Sequence, residues 1–295
     1  MRALAWLITA PNLLDPAAAR WQDKIATLAF NDDVAPWLHR LDQDPAALHA
    51  YLRVGPFERL GRYAEKLLAF YFEYQGCLVA HGMQVHGDAG QTIGEFDFLL
   101  RREEGLVHWE FATKLYLMQA PDQNGDACFI GPNLADTLQI KMHKILNRQL
   151  ALGKHPAAAV YLPANLVKAE ALIKGWMFYR DDDTPNLDTG LTALHCRGFW
   201  CTHSEASDLA LFNYVLLPRL SWLAPVQLSA DMTLTKVELL AMLRAHFLAD
   251  TAPVLVAQCQ LQGARAQEYA RGFIVPDDWR QRAGQRAQRA VIRPD

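Results

Sequence analysis

Three side chains, Asp97, Glu110 and Lys114, could do chemistry if the fold brings them together. They sit in GEFDFLL (94–100) and VHWEFATKLY (107–116), two stretches of strand-forming composition. Between them, Arg101-Arg102-Glu103-Glu104-Gly105 is a polar turn that predicts a hairpin. Strand side chains alternate faces. Phe96, Phe98 and Leu100 are therefore expected on one face, with Glu95, Asp97 and Leu99 on the other. In the second strand Val107, Trp109, Phe111 and Leu115 oppose His108, Glu110, Ala112 and Lys114. Side-by-side pairing then gathers Asp97, Glu110 and Lys114 on a common face. Converging carboxylates repel unless a cation lies between them, and a hard divalent ion held by oxygen ligands, Mg2+ or Mn2+, is the usual answer. Such an ion polarises a phosphoryl oxygen and acidifies bound water, and a nearby ammonium orients the nucleophile.

The elements around the hairpin must position these groups. Upstream, PFERLGRYAEKLLAFYFEYQG (56–76) carries Phe57, Leu60, Ala64, Leu67, Leu68 and Tyr71 at helical spacing. Pro56 near its start and Gly76 at its end have the expected asymmetry. Glu65, at the edge of that stripe, is the natural third carboxylate. LVAHGMQVH (78–86) reads as a strand interrupted by Gly82. After a Pro/Asp/Asn/Gly-rich loop (120–133), a single helix is expected over 134–152, with Leu134, Leu138, Met142, Ile145 and Leu150 on its buried face. Lys141, Lys144 and Arg148 form a basic stripe beside that face, because residues three and seven apart share a side of a helix. AAAVYL (157–162) reads as a short buried strand. The order is helix, three strands, helix, strand.

Elsewhere the pattern is mixed. Residues 1–50 read as helical with Asp, Pro and Asn breaks; GWMFYR (175–180) and GFWCT (198–202) read as strands. Helices are expected over 208–217 and 236–248, the second opened by a Thr235–Glu238 capping box. Strands follow at 254–261 and 272–275. Arg280, Arg282, Arg286, Arg289 and Arg293 suggest a frayed basic tail. The 295 residues provide ample core, and the net charge of -3 argues against a surface coated in positive charge. Five scattered cysteines point to reduced thiols and a cytoplasmic protein. The short apolar N-terminus lacks the features of a signal peptide, and no stretch approaches the ~20 apolar residues of a membrane span. Gly-rich phosphate loops and nucleophile elbows are missing. His195, Cys196, Cys201 and His203 have the residue types for zinc but no spacing of a closed site.

The element order, with Glu65 on the first helix, Asp97 in GEFDFLL and Glu110 in WEFATK, resembles the PD-(D/E)XK nuclease superfamily, whose restriction-endonuclease-like core runs αβββαβ. HWEFATKLYL, GPNLADTLQIK, KGWMFY and RGFIVPDDW are similar, more narrowly, to a bacterial family of unknown function placed in that superfamily. The core resemblance covers about 56–163. It implies a helical N-terminal segment (1–55), that core with a mixed central sheet, and a C-terminal α/β extension with a basic tail (164–295). It implies a Mg2+- or Mn2+-dependent phosphodiesterase acting on nucleic acid, a hydrolase. Asp97, Glu110 and Glu65 would hold the metal, Lys114 would orient water, and Lys141, Lys144 and Arg148 would touch phosphate.

One position departs from the superfamily pattern, which puts lysine two residues after the second acid. Here that residue is Ala112. Lys114 lies four residues from Glu110, about 13 Å between Cα atoms rather than about 7 Å. Either Lys114 leans back, helped by a bulge, or Lys141 or Lys144 takes over, or the site has lost its chemistry. In the last case the protein is a non-catalytic scaffold that binds nucleic acid or a protein partner. The plainer readings are an exposed Glu110 bridging to Lys114 or His108, a solvated Glu65, and a basic helix face in water.

Overall fold

A computed structural model describes residues 1–53, 59–119, 128–180 and 189–292, with side chains inside the last helix described up to 286. Pro56 and Phe57, loop residues 120–127 and Arg293 lie outside the described residues, as does the side chain of Arg289. The chain is α/β, with strands that pair both parallel and antiparallel. It divides into two compact units that interleave along the sequence. The first takes Met1–Thr113, Lys141–Gly175 and Gly190–His195; the second takes Lys114–Ile140, Trp176–Thr189 and Cys196–Asp295.

The first unit opens with α1 (Arg2–Thr9), α2 (Val34–Gln43) and α3 (Ala46–Leu52). Helix α4 (Leu60–Tyr74) buries Leu60, Ala64, Leu67, Leu68 and Tyr71, the expected stripe, and adds Phe72. It ends at Gly76, whose φ of 66° is a left-handed cap that glycine adopts without strain. Strands β1 (Leu78–His86), β2 (Thr92–Arg102) and β3 (Gly105–Gln119) form an antiparallel meander. The β2–β3 turn has two residues between the paired Arg102 and Gly105. Gly105 at φ 135° closes it in a conformation closed to side chains.

Alternation fails at the start of β2. Phe96 joins Leu99 in a cluster with Val85, Leu106, Leu152 and Ala158, and its ring meets His108 edge-on. Phe98 instead packs edge-on against Phe72 of α4, at 5.1 Å between centroids. Apolar groups cover the hairpin on more than one side, so hydrophobic alternation carries little information about its faces. Burying Phe72 against Phe98 and Trp109 contributes on the order of 2–3 kcal/mol.

Several expected elements differ. The helix over 134–152 is broken: α5 covers Leu138–Lys144, a π-helical turn Ile145–Gln149, and a 3-10 turn Leu152–Lys154. Leu134 lies before it, at φ 58°. Residues Pro156–Tyr161 form a 3-10 helix rather than a strand, capped by the His155 side chain. Three consecutive alanines have little β preference, and Pro156 sits where a helical turn accepts it. The strand that follows α5 is β5 (Leu166–Tyr179), much longer than the expected GWMFYR segment.

In the second unit β4 (Cys128–Ile130) pairs with the end of β3. Strand β6 (Cys196–Thr202) lies parallel to the end of β5. β7 (Asn213–Leu216), β8 (Gln227–Ser229), β9 (Val254–Gln262) and β10 (Arg265–Val275) complete it. β10 is parallel to β6 and antiparallel to β8 and β9, and β7 is antiparallel to β9. The expected helix over 208–217 is instead a 3-10 turn, Ser204–Asp208, followed by β7. Tyr214 and Leu234 exchange backbone hydrogen bonds there, so pairing outweighs the helical pattern. Helix α6 (Lys236–Ala249) carries the capping box and buries Leu239 and Leu243 against Tyr214, Val256 and Ile274. The expected frayed tail is helix α7 (Trp279–Ile292), anchored by the Trp279 indole donating to the Pro132 carbonyl at 2.6 Å. No helix among the described residues is long and apolar enough to cross a membrane.

Candidate metal centre

Four carboxylates gather in the first unit, from α4, β2 and β3. Glu65, Glu95 and Asp97 each offer an oxygen within 4.8 Å of the others, and all three are half-buried. Among the described residues this is the grouping able to hold a metal ion. The β2–β3 register pairs Phe98 with Trp109. Beyond that last paired position the Phe111 N–H donates to Asp97 Oδ2 at 2.9 Å, which ties Asp97 to the strand that carries Glu110. Glu110 is only 1% exposed. Its Oε1 lies 3.0 Å from His108 Nε2, and its Oε2 accepts a hydrogen bond from the Gln149 amide. His81 of β1 lies 3.1 Å from Glu65 and stacks on Phe98. The next residue, Gly82, has φ 60°; a Cβ there would stand 3.5 Å from Glu95 Oε1.

Burial and like charge dominate the electrostatics. Burial first, then the Glu110 charge, pushes the Asp97 carboxyl up to about 8, against the stabilising Phe111 N–H. Burial raises Glu110 to about 7, while Lys141 and a hydrogen bond with Asp97 pull it back. Both carboxyls are therefore held above the ordinary carboxylate range, Asp97 further than Glu110. Burial lowers His108 to about 4, with the Asp97 charge opposing. A neutral His108 donating through Nε2 to Glu110 fits that value. It leaves Nδ1 buried without a hydrogen bond.

The predicted site residues separate. Asp97, Glu110 and Glu65 come together. Lys114 belongs to the second unit, where its Nζ sits 2.6 Å from Asp136 Oδ2, an oxygen that also accepts from the Tyr116 hydroxyl at 3.2 Å. Lys141 of α5 reaches the carboxylates through Gln149: its Nζ donates to Gln149 Oε1 at 3.1 Å. Lys144 and Arg148 are exposed. Glu95 and Gln149 were not singled out by the sequence, although Glu95 shares the expected face of Asp97.

A donor set made of carboxylate oxygens fits Mg2+ or Mn2+ rather than zinc. The raised Asp97 carboxyl fits as well, because a cation offsets the burial and the repulsion that now favour its proton. The molecule is thus an α/β protein with a buried-to-half-buried acidic centre on a β-hairpin and the preceding helix. Residues 2–275 match the family described as a domain of unknown function, DUF1853, and the chain belongs to that family. No curated protein matches the chain, and no solved structure does.

Proposed function

We propose that this chain is a divalent-metal-dependent phosphodiesterase that cleaves nucleic acid, built on a restriction-endonuclease-like core. The observation that carries the reading is the convergence of Glu65, Glu95 and Asp97 within 4.8 Å beside the buried Glu110. The order α4, β1, β2, β3, α5, β5, with the short β4 inserted between β3 and α5, supports the αβββαβ core, with β5 in the place expected for the strand at 157–162. Glu65, Glu95 and Asp97 would hold Mg2+ or Mn2+, with Glu110 beside them. A bound cation would polarise the scissile phosphate and acidify water. The Phe111 N–H fixes the Asp97 carboxylate from behind, and His108 and Gln149 fix Glu110. Lys141 supplies positive charge on the Glu110 side. A groove of about 650 Å3 between the turns after Gln149 and β5, with Lys154 and Lys168 on its wall, offers room for a phosphate backbone in the same unit.

The test is calorimetric titration of the wild type and Asp97→Ala with Mg2+ and Mn2+, followed by cleavage assays on single- and double-stranded oligonucleotides. Binding that vanishes in the variant, with metal-dependent cleavage by the wild type, supports the reading. No binding of either ion, with oligonucleotide present, ends it. A second reading, a non-catalytic scaffold that binds nucleic acid or protein, is favoured by Ala112 in the usual lysine position and by the engagement of Lys114 with Asp136. Metal binding without cleavage of any oligonucleotide is its signature.

A further inference from the structure

Gln149 is the last residue of the π-helical turn, and that turn explains how it meets Lys141. Eight residues apart on an uninterrupted α-helix, two side chains diverge by about 80°. The π turn, in which the Leu150 N–H bonds the Ile145 carbonyl five residues back, accommodates one extra residue. The pair then behaves nearly as a seven-residue pair, about 20° apart on one face. The same extra residue rotates Arg148 away from the stripe it would share with Lys141 and Lys144. The result is a directed chain: Lys141 Nζ donates to Gln149 Oε1 at 3.1 Å, and Gln149 Nε2 donates to Glu110 Oε2. An amide can accept on one end through its oxygen and donate on the other through its nitrogen, as this relay requires. His108 holds the other oxygen of the same carboxylate.

We infer that Gln149 is a positioning residue of the acidic centre: it fixes Glu110 in orientation and tethers Lys141 beside it, which makes Lys141 rather than Lys114 the cation of the site. The inference rests on the metal-site reading. Groups that hydrogen-bond a metal's ligands typically govern tenfold to a hundredfold of its affinity, and Gln149 acts one carboxylate further out, through Glu110, so the low end of that range applies. Gln149→Leu keeps the volume and removes both bonds. Gln149→Asn keeps the amide but is a methylene too short to span Lys141 and Glu110.

The experiment is Mn2+ titration by calorimetry of the wild type, both variants and Lys141→Met, with melting temperatures recorded in chelator. About tenfold weaker Mn2+ binding in Gln149→Leu is expected, and a loss of the same direction in Gln149→Asn, with metal-free melting within a few degrees of wild type. A purely structural glutamine would lower melting and leave affinity alone. Should Gln149→Leu fail to fold, Gln149→Asn decides the matter by the same criterion. Wild-type affinity in the variants overturns the inference while the metal reading stands. Absence of Mn2+ binding by the wild type overturns both.

Discussion

The proton on Asp97 makes the metal-free protein lose stability as pH rises through neutrality. The carboxyl stands near 8 in the folded chain against 3.8 when exposed, so between those values the folded state holds a proton that the unfolded chain releases. Stability therefore falls with rising pH across that range. His108 works the other way, but only below about 6.5, because its folded value is lowered and the unfolded imidazole takes up the proton there. From pH 6.5 to 7.5 the Asp97 contribution outweighs it, and Glu110, raised to about 7, adds to the same fall, for a net of about one proton. One proton per pH unit is about 1.4 kcal/mol. An unfolding entropy of about 2.1 cal/mol/K per residue over the whole chain converts this to roughly 2 °C. Scanning calorimetry in chelator should give a melting temperature about 2 °C lower at pH 7.5 than at 6.5, and Asp97→Asn should remove most of that difference. Mn2+ at about a hundred times its Kd should add about 2.7 kcal/mol at pH 7.5, roughly 4 °C. A metal-free melting temperature that rises over this interval, or an unchanged slope in Asp97→Asn, would refute the assignment of the proton.

Two further substitutions separate the site from its scaffold. Lys114→Met removes a partly exposed pair with Asp136 and should cost no more than about 1 kcal/mol, leaving Mn2+ affinity within twofold of wild type by calorimetry. Arg271 is fully buried in the second unit, with its guanidinium on Glu268 at 2.5 and 2.9 Å, on the Trp222 and Ala224 carbonyls, and over the Trp176 ring. Glu268→Gln leaves that charge uncompensated and should cost about 3–5 kcal/mol, read as a melting temperature lower by roughly 5–8 °C.

How much of this was legible in the sequence differs from element to element. The β2–β3 hairpin could be read because its turn chemistry sets the register as far as Phe98 and Trp109, and a backbone hydrogen bond from Phe111 then ties Asp97 to the strand of Glu110. α4 could be read because its stripe is regular through Leu60, Ala64, Leu67, Leu68 and Tyr71. β5 was legible only at its apolar end. The stretch before it, LVKAEALIK, alternates poorly and includes Lys174, which is buried with its ammonium on the Ala10 carbonyl at 2.5 Å, a long-range contact that no local pattern announces. Glu95 was within reach of the alternation rule, and Gly82 beside it marks where the backbone turns left-handed with no side chain next to the carboxylates.

The identity of the site's cation depends on something a helical wheel cannot contain. Over 138–152 the wheel assumes 100° per residue, and on that assumption Arg148 belongs with Lys141 while Gln149 points elsewhere. One extra residue in the Ile145–Gln149 turn exchanges the two. On the proposed nuclease-like reading, the lysine absent two residues after Glu110 is matched by one arriving from α5 through an amide relay. Ala112 is then intelligible without loss of the site. It is 7% exposed, and the packed strand around it needs no ammonium where another element supplies one. A lysine restored at that position, Ala112→Lys, would enter this packed environment as a second cation beside Lys141. On this reasoning it should destabilise the protein by calorimetry and fail to rescue a Gln149→Leu loss of Mn2+ affinity, because what that variant lacks is the hold on Glu110 rather than positive charge.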